Sequence, residues 1–194
     1  MKERSEADYA ARRSSVDKLH DMIHAMRNCP KPIIAAVDGG AAGAGASIMA
    51  ACDLIVGARD AYASVAYIKI GMTPDGGSTA FLGTALPRQT MAEMVFTGDR
   101  IGMERLHQLG LVNRIAEPGG ALDMAMDWAA KIAEMPTQAL AVGKQLINSA
   151  RLNDLKTQLD AEADGIANAL GGVEGAEGIA AFLEKRKPDW SKTR

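Results

Sequence analysis

Apolar and polar positions follow two different rhythms along this chain, and the change between them divides it. Over residues 6–27 the apolar Val16, Leu19, Ile23 and Met26 recur three and four apart, which predicts an amphipathic helix ended by Asn28-Cys29-Pro30. An unbroken apolar run follows, Ile33-Ile34-Ala35-Ala36-Val37, and reads as a buried strand. Asp38-Gly39-Gly40 breaks it; small residues over 41–46 form a turn, and 47–51 continue as an apolar helix. Residues 54–58 make a second short strand and 63–66 a third. Helices are predicted over 78–86 and 89–96, parted by Pro87, and over 102–109, with Gly110 placed to cap the end. Residues 111–115 read as extended. From there on the pattern is helical: 121–134 stopping before Pro136, then 137–150, 154–170 and 174–185, with Gly171-Gly172 as a turn. The order is alternating α/β first and all-helical afterwards, giving regions 1–120 and 121–194.

The stretch 32–53, PIIAAVDGGAAGAGASIMAACD, is the most informative. A strand that turns through glycines into a helix leaves backbone N–H groups pointing into space at the helix start. Such groups hold a phosphate, or an oxygen that becomes negative during a reaction. Two nucleotide readings fail here. The phosphate-binding loop needs Lys directly after its second glycine; Gly40 and Gly45 have the spacing, but Ala46 occupies the Lys position. The dinucleotide pattern needs glycines at i, i+2 and i+5; Gly43 and Gly45 fit, and Ile48 does not. The alternative is a tight turn in which small residues permit close packing.

Composition narrows the classes. Hydrophobic residues are 47% of 194, enough for a sizeable core, while aromatics are only 4%, so Ala, Gly and Met must do the packing. A formal charge of −2 gives no field for nucleic acid. Two cysteines make no disulfide framework and suit a reducing cytoplasm. No apolar run reaches membrane-spanning length. His20 and His24 stand one helical turn apart, but no third ligand accompanies them, so no metal is expected and a surface or packing role is preferred. His107 and Cys52 read as structural.

Several motifs occur in order: the glycine turn, then Cys52-Asp53-Leu54-Ile55-Val56-Gly57-Ala58, Ile70-Gly71-Met72-Thr73-Pro74-Asp75-Gly76-Gly77-Ser78-Thr79, Phe96-Thr97-Gly98-Asp99-Arg100-Ile101 and Leu109-Gly110-Leu111-Val112-Asn113-Arg114-Ile115. Together they resemble the crotonase superfamily, the enoyl-CoA hydratases and isomerases, from about Lys2 to the C-terminus. The resemblance implies an α/β fold: a ββα spiral core followed by a helical C-terminal trimerisation region. By the same resemblance the chain is expected to lack the N-terminal strands of the family's core, since Met1-Lys2-Glu3 looks like the tail of a later family segment; a shortened gene model, a truncated chain and a natural fragment would all look like this.

The resemblance assigns chemistry residue by residue. Two backbone N–H groups in this superfamily bind the thioester carbonyl of an acyl-CoA and stabilise the enolate. One matches Ala44; the other falls before Met1. The two water-activating glutamates of a typical hydratase match Ser47 and Tyr67, so two-glutamate hydration is not expected. Ser47 otherwise reads as a packed helical residue, and Tyr67 as a pocket-lining residue, a hydrogen-bond donor or a half-buried aromatic. Asp75 matches the catalytic carboxylate of some members; on local pattern alone it would be a turn residue and N-cap. Lys2 resembles a lysine that approaches CoA phosphates, and Gly40, Ala42 and Ile70 match thioester-pocket positions. Phe182 and Lys185 belong to an ending that can reach a neighbouring subunit's CoA, or else forms a solvated helix end.

The expectation is an acyl-CoA enzyme, favouring enoyl-CoA double-bond isomerisation, that is cytoplasmic and assembles as a homotrimer or hexamer. Coenzyme A enters as part of the substrate and no separate cofactor is implied. The alternatives are a non-catalytic or inactive CoA-binding or assembly module, and a single-carboxylate hydratase.

Overall fold

A computed structural model describes residues 8–193. The first helix, α1 (Tyr9–Asn28), forms where the three-and-four spacing placed it. The Asp8 carboxylate accepts from the Ala11 N–H at 2.8 Å and caps its start. Ile23, in the middle of the apolar stripe, is its buried residue.

Among the described residues, six short strands then build two sheets, the first four by repeating one unit. Strand β1 (Ile34–Val37) leads to β2 (Gly40–Ala42) and helix α2 (Ala44–Ala51). Strand β3 (Leu54–Ala58) leads to β4 (Tyr62–Ser64), a 3-10 turn (Ala66–Ile70) and helix α3 (Ser78–Ala85). Each second-turn strand lies parallel to its first-turn counterpart: Ile34 opposite Leu54 in one sheet, Gly40 opposite Tyr62 in the other. Successive ββα turns are therefore stacked along two ladders, which is a spiral. Helix α4 (Arg88–Thr97) precedes β5 (Ile101–Gly102), which pairs antiparallel to β4. Helix α5 (Met103–Gln108) and strand β6 (Arg114–Ala116) follow, and β6 extends the β1–β3 sheet in parallel.

Aromatic poverty shows directly in the core. Ala46, Met49, Val56, Ala58, Ala63, Leu82, Met94, Met103 and Leu106 are almost wholly buried, so small and flexible side chains fill the space between strands and helices.

Four expectations change. Residues 44–46, read as turn, are already helix, because the backbone of Gly43 starts α2 at Ala44. Residues 41–42, read as turn, are strand: Gly40–Ala42 has no strand bias of its own and is held by its partner Tyr62–Ser64. The third strand begins at Tyr62 and ends at Ser64, because the 3-10 turn has already begun at Ala66. Residues 111–113 are not strand, since Asn113 fastens the approach instead: its N–H donates to the Ile55 carbonyl at 2.9 Å and its Oδ1 accepts from the Ile55 N–H at 2.8 Å.

The chain continues through α6 (Ala121–Ala133), α7 (Thr137–Ser149), α8 (Leu155–Gly171) and α9 (Val173–Leu183) to a 3-10 turn (Trp190–Thr193). Two compact units result. One comprises the residues up to Arg27 and Ile33–Met126; the other comprises Asn28–Pro32 and the residues from Asp127 onward. In the second unit the buried Glu174 carboxylate accepts from the N–H groups of Gln138 and Ala139 and from the Thr137 hydroxyl. It thus caps the start of α7 from the neighbouring helix. Burial would raise its pKa, but these donors outweigh burial and hold it below the ordinary carboxylate range.

Candidate active site

The glycine turn is pinned before the helix begins. Gly43 donates its N–H to the Ser64 carbonyl at 3.0 Å, and its backbone takes φ 54°, ψ −124°, which a side chain would strain. That conformation starts α2 at Ala44. Among the described residues, none accepts from the N–H of Ala44 or of Gly45, and both residues are exposed. These are unsatisfied donors of the first helical turn, at the positive end of the helix dipole.

Ser47 sits one turn further in, fully buried. Its hydroxyl donates to the Asp75 carbonyl at 2.9 Å and lies 3.4 Å from the Gly43 carbonyl and from the Tyr67 hydroxyl. The first turn of α2 is thereby tied to the Asp75 loop. That loop turns through Gly76 (φ 57°) and Gly77 (φ 79°) into α3. At Gly76 an added Cβ would lie 2.9 Å from the Ser47 Cβ, so a hydrogen there lets the loop close on α2.

Asp75 does not cap α3. The N-cap position is Gly77, and no side chain caps that helix. Instead the Tyr67 hydroxyl donates to Asp75 Oδ1 at 2.5 Å. The 3-10 turn delivers Tyr67 to this point, and Gly71, left-handed at φ 69°, ends it. Burial first, and the bond to Asp75 second, push the Tyr67 phenol up to about 12, so it stays protonated and remains a donor across the working pH range. Gly43, Ser47, Tyr67, Asp75 and Gly76 thus form one cluster from three separate segments.

The remaining sequence candidates fall as follows. Gly40 lies in β2 against Tyr62, where an added Cβ would come 2.5 Å from the Tyr62 hydroxyl. Ala42 is exposed in β2, and Ile70 is exposed at the end of the 3-10 turn. Lys2 lies outside the described residues. Phe182, 81% exposed, and Lys185, with φ 54°, belong to the second unit. That unit also holds an apolar cavity of about 680 Å³ between α7, α8 and α9. Glu162 and Glu174 are the acidic residues among its lining, and Glu174 is committed to capping. Sequence reading missed the pairing of Tyr67 with Asp75; the lone signal was an aromatic at a position where the family carries a carboxylate.

Helix-start N–H groups on α2 and a carboxylate on the loop tied to that helix through Ser47 thus occur together on stacked ββα turns. A family model for enoyl-CoA hydratase/isomerase matches residues 1–193, and the chain belongs to this family. It is 35% identical over 178 residues to the 1,2-epoxyphenylacetyl-CoA isomerase of Escherichia coli K12, an alignment covering 91% of this chain and 68% of that protein. It is 33% identical to a probable enoyl-CoA hydratase of Rhodobacter capsulatus, covering 90% of this chain and 68% of the relative. Among solved structures, an enoyl-CoA hydratase from Polaromonas sp. JS666 superposes with a TM-score of 0.92 at 44% identity, over 95% of this chain and 72% of that one. The protein is thus an acyl-CoA enzyme of the enoyl-CoA hydratase/isomerase type on a crotonase-like fold.

Proposed function

We propose that this enzyme moves the double bond of a β,γ-unsaturated acyl-CoA into conjugation with its thioester. The single observation carrying this reading is the composition of the cluster: Asp75 is its one carboxylate among the described residues, and Ser47 and Tyr67 supply hydroxyls. One carboxylate suits a reaction that removes and returns one proton. Asp75 takes the proton from the carbon next to the thioester carbonyl. The electron pair moves onto the carbonyl oxygen, where the Ala44 N–H stabilises it; losing one such donor typically removes roughly 3–4 kcal/mol of transition-state stabilisation. The pair then returns, the new double bond forms, and Asp75 delivers the proton to the γ-carbon and is again a carboxylate. No electron acceptor is needed, so coenzyme A enters only as part of the substrate.

The test is conversion of trans-3-hexenoyl-CoA to the conjugated isomer. Asp75→Asn should lower turnover at least 100-fold, of the order expected for loss of a general acid/base. Turnover within a few-fold of wild type would remove Asp75 from the mechanism. Steady formation of a 3-hydroxyacyl-CoA would favour the single-carboxylate hydratase. Calorimetric binding of the acyl-CoA with no turnover would favour the CoA-binding module.

Assembly as a homotrimer, single or paired into a hexamer, is part of the same proposal. The second unit exposes Ile147, Leu155, Ile166, Phe182 and Leu183, each by 61% or more. Apolar surface of this kind supports burial against further copies. Cys29 and Cys52 are not joined in a disulfide, which accords with a reducing cytoplasm.

A further inference from the structure

We infer that Tyr67 is a positioning residue that makes one oxygen of Asp75, Oδ2, the proton carrier. The inference rests on Asp75 being the acid/base and asks which of its two equivalent oxygens works. Three contacts decide. The Tyr67 hydroxyl has a single proton, and at 2.5 Å from Asp75 Oδ1 that proton is committed there. The Ser47 hydroxyl also has a single proton, and its shortest acceptor is the Asp75 carbonyl at 2.9 Å. The remaining contact, Ser47 Oγ to Tyr67 Oη at 3.4 Å, is then left without a proton of its own and draws neither hydroxyl away from Asp75. Asp75 is therefore restrained at two points, its main chain by α2 and one carboxylate oxygen by the 3-10 turn.

A free carboxylate turns about its terminal torsion and offers two equal oxygens. A phenol that stays protonated to about pH 12 stops that rotation and covers Oδ1 at every working pH. The proton collected from the α-carbon then sits on Oδ2, and the same oxygen delivers it to the γ-carbon. Without the phenol, Oδ1 opens to water, the carboxyl group turns over between the two half-reactions, and the carried hydrogen exchanges with solvent.

The experiment uses the full chain and trans-3-hexenoyl-CoA in D2O, with deuterium in the conjugated product counted by mass spectrometry at low conversion. Wild type should place solvent deuterium in a minority of product molecules. Tyr67→Phe keeps the ring and removes the hydroxyl. It should lower kcat by roughly 10- to 100-fold, the range for a lost hydrogen bond to a charged group, leave KM within about two-fold as expected when a transition-state interaction alone is removed, and raise deuterium to most product molecules. A merely structural role would move KM and thermal stability without altering the label. The inference is overturned if Tyr67→Phe matches wild type in kcat and label. It is also overturned if wild type already carries solvent deuterium in nearly every product molecule, a result that needs no variant to fold. Asp75→Asn is run alongside. Activity retained there defeats the assignment of Asp75 itself; activity lost there, with Tyr67→Phe unchanged, defeats only the role of Tyr67.

Discussion

At the scale of single residues, the cluster depends as much on what is small as on what is polar. Gly76 carries a left-handed φ and faces the Ser47 Cβ, so any side chain there must both strain the backbone and push α2 away from the Asp75 loop. Gly76→Ala should destabilise the fold by more than about 1 kcal/mol, the order of the left-handed penalty alone, and should lower kcat because Asp75 shifts. Gly83 provides the control: it lies in α3 with nothing within 4 Å of an added Cβ. Gly83→Ala should stabilise by about 0.4–1 kcal/mol. Urea unfolding of the two variants checks both signs, and equal effects would show that the loop tolerates displacement. The motif order singled out Asp75 and Ala44 in the sequence, and the structure places them on the loop before α3 and on the first turn of α2. The bond from Tyr67 to Asp75 was not legible there, because a 3-10 turn and a loop lie between the two residues and no local pattern says that their side chains converge.

At the scale of elements, the helices were legible and the shortest strands were not. Helix periodicity is a property of one segment, whereas Gly40–Ala42 is strand only because Tyr62–Ser64 lies beside it. Side-chain fastenings are equally invisible in a single segment. In α9, Glu177 accepts from Arg186 at 2.6 Å and from the Asp189 N–H at 2.7 Å, and Trp190 lies against Gly178. The Arg186 guanidinium first, and the Asp189 N–H second, lower Glu177 from 4.5 to about 2. Its folded value lies below its unfolded value, so the fastening contributes fully above about 4.5 and is lost as pH falls through about 2. In a Trp128→Phe background, Trp190 emission should shift to the red over that interval. Adding Glu177→Gln should produce the shift already at pH 7. Emission unchanged by either treatment would mean that other contacts hold the segment.

At the scale of the whole molecule, the family, the stacked ββα turns and the helical second half were all legible, because motif order and the change of rhythm survive without any three-dimensional knowledge. No helix among the described residues is long and apolar enough to cross a membrane. For the trimer or hexamer proposed above, static light scattering at micromolar concentration should return three or six times the 20.4 kDa chain mass. A monomer mass would reject the assembly. The way the sequence is dealt between the two units has a practical result. The helical unit owns a five-residue piece, Asn28–Pro32, lying far upstream, whose Lys31 carbonyl accepts from the buried Lys144 ammonium at 3.1 Å. Cutting the gene at one codon near 127 would leave that piece behind, so anyone wishing to express the helices alone must splice residues 28–32 back in or supply them as a separate peptide.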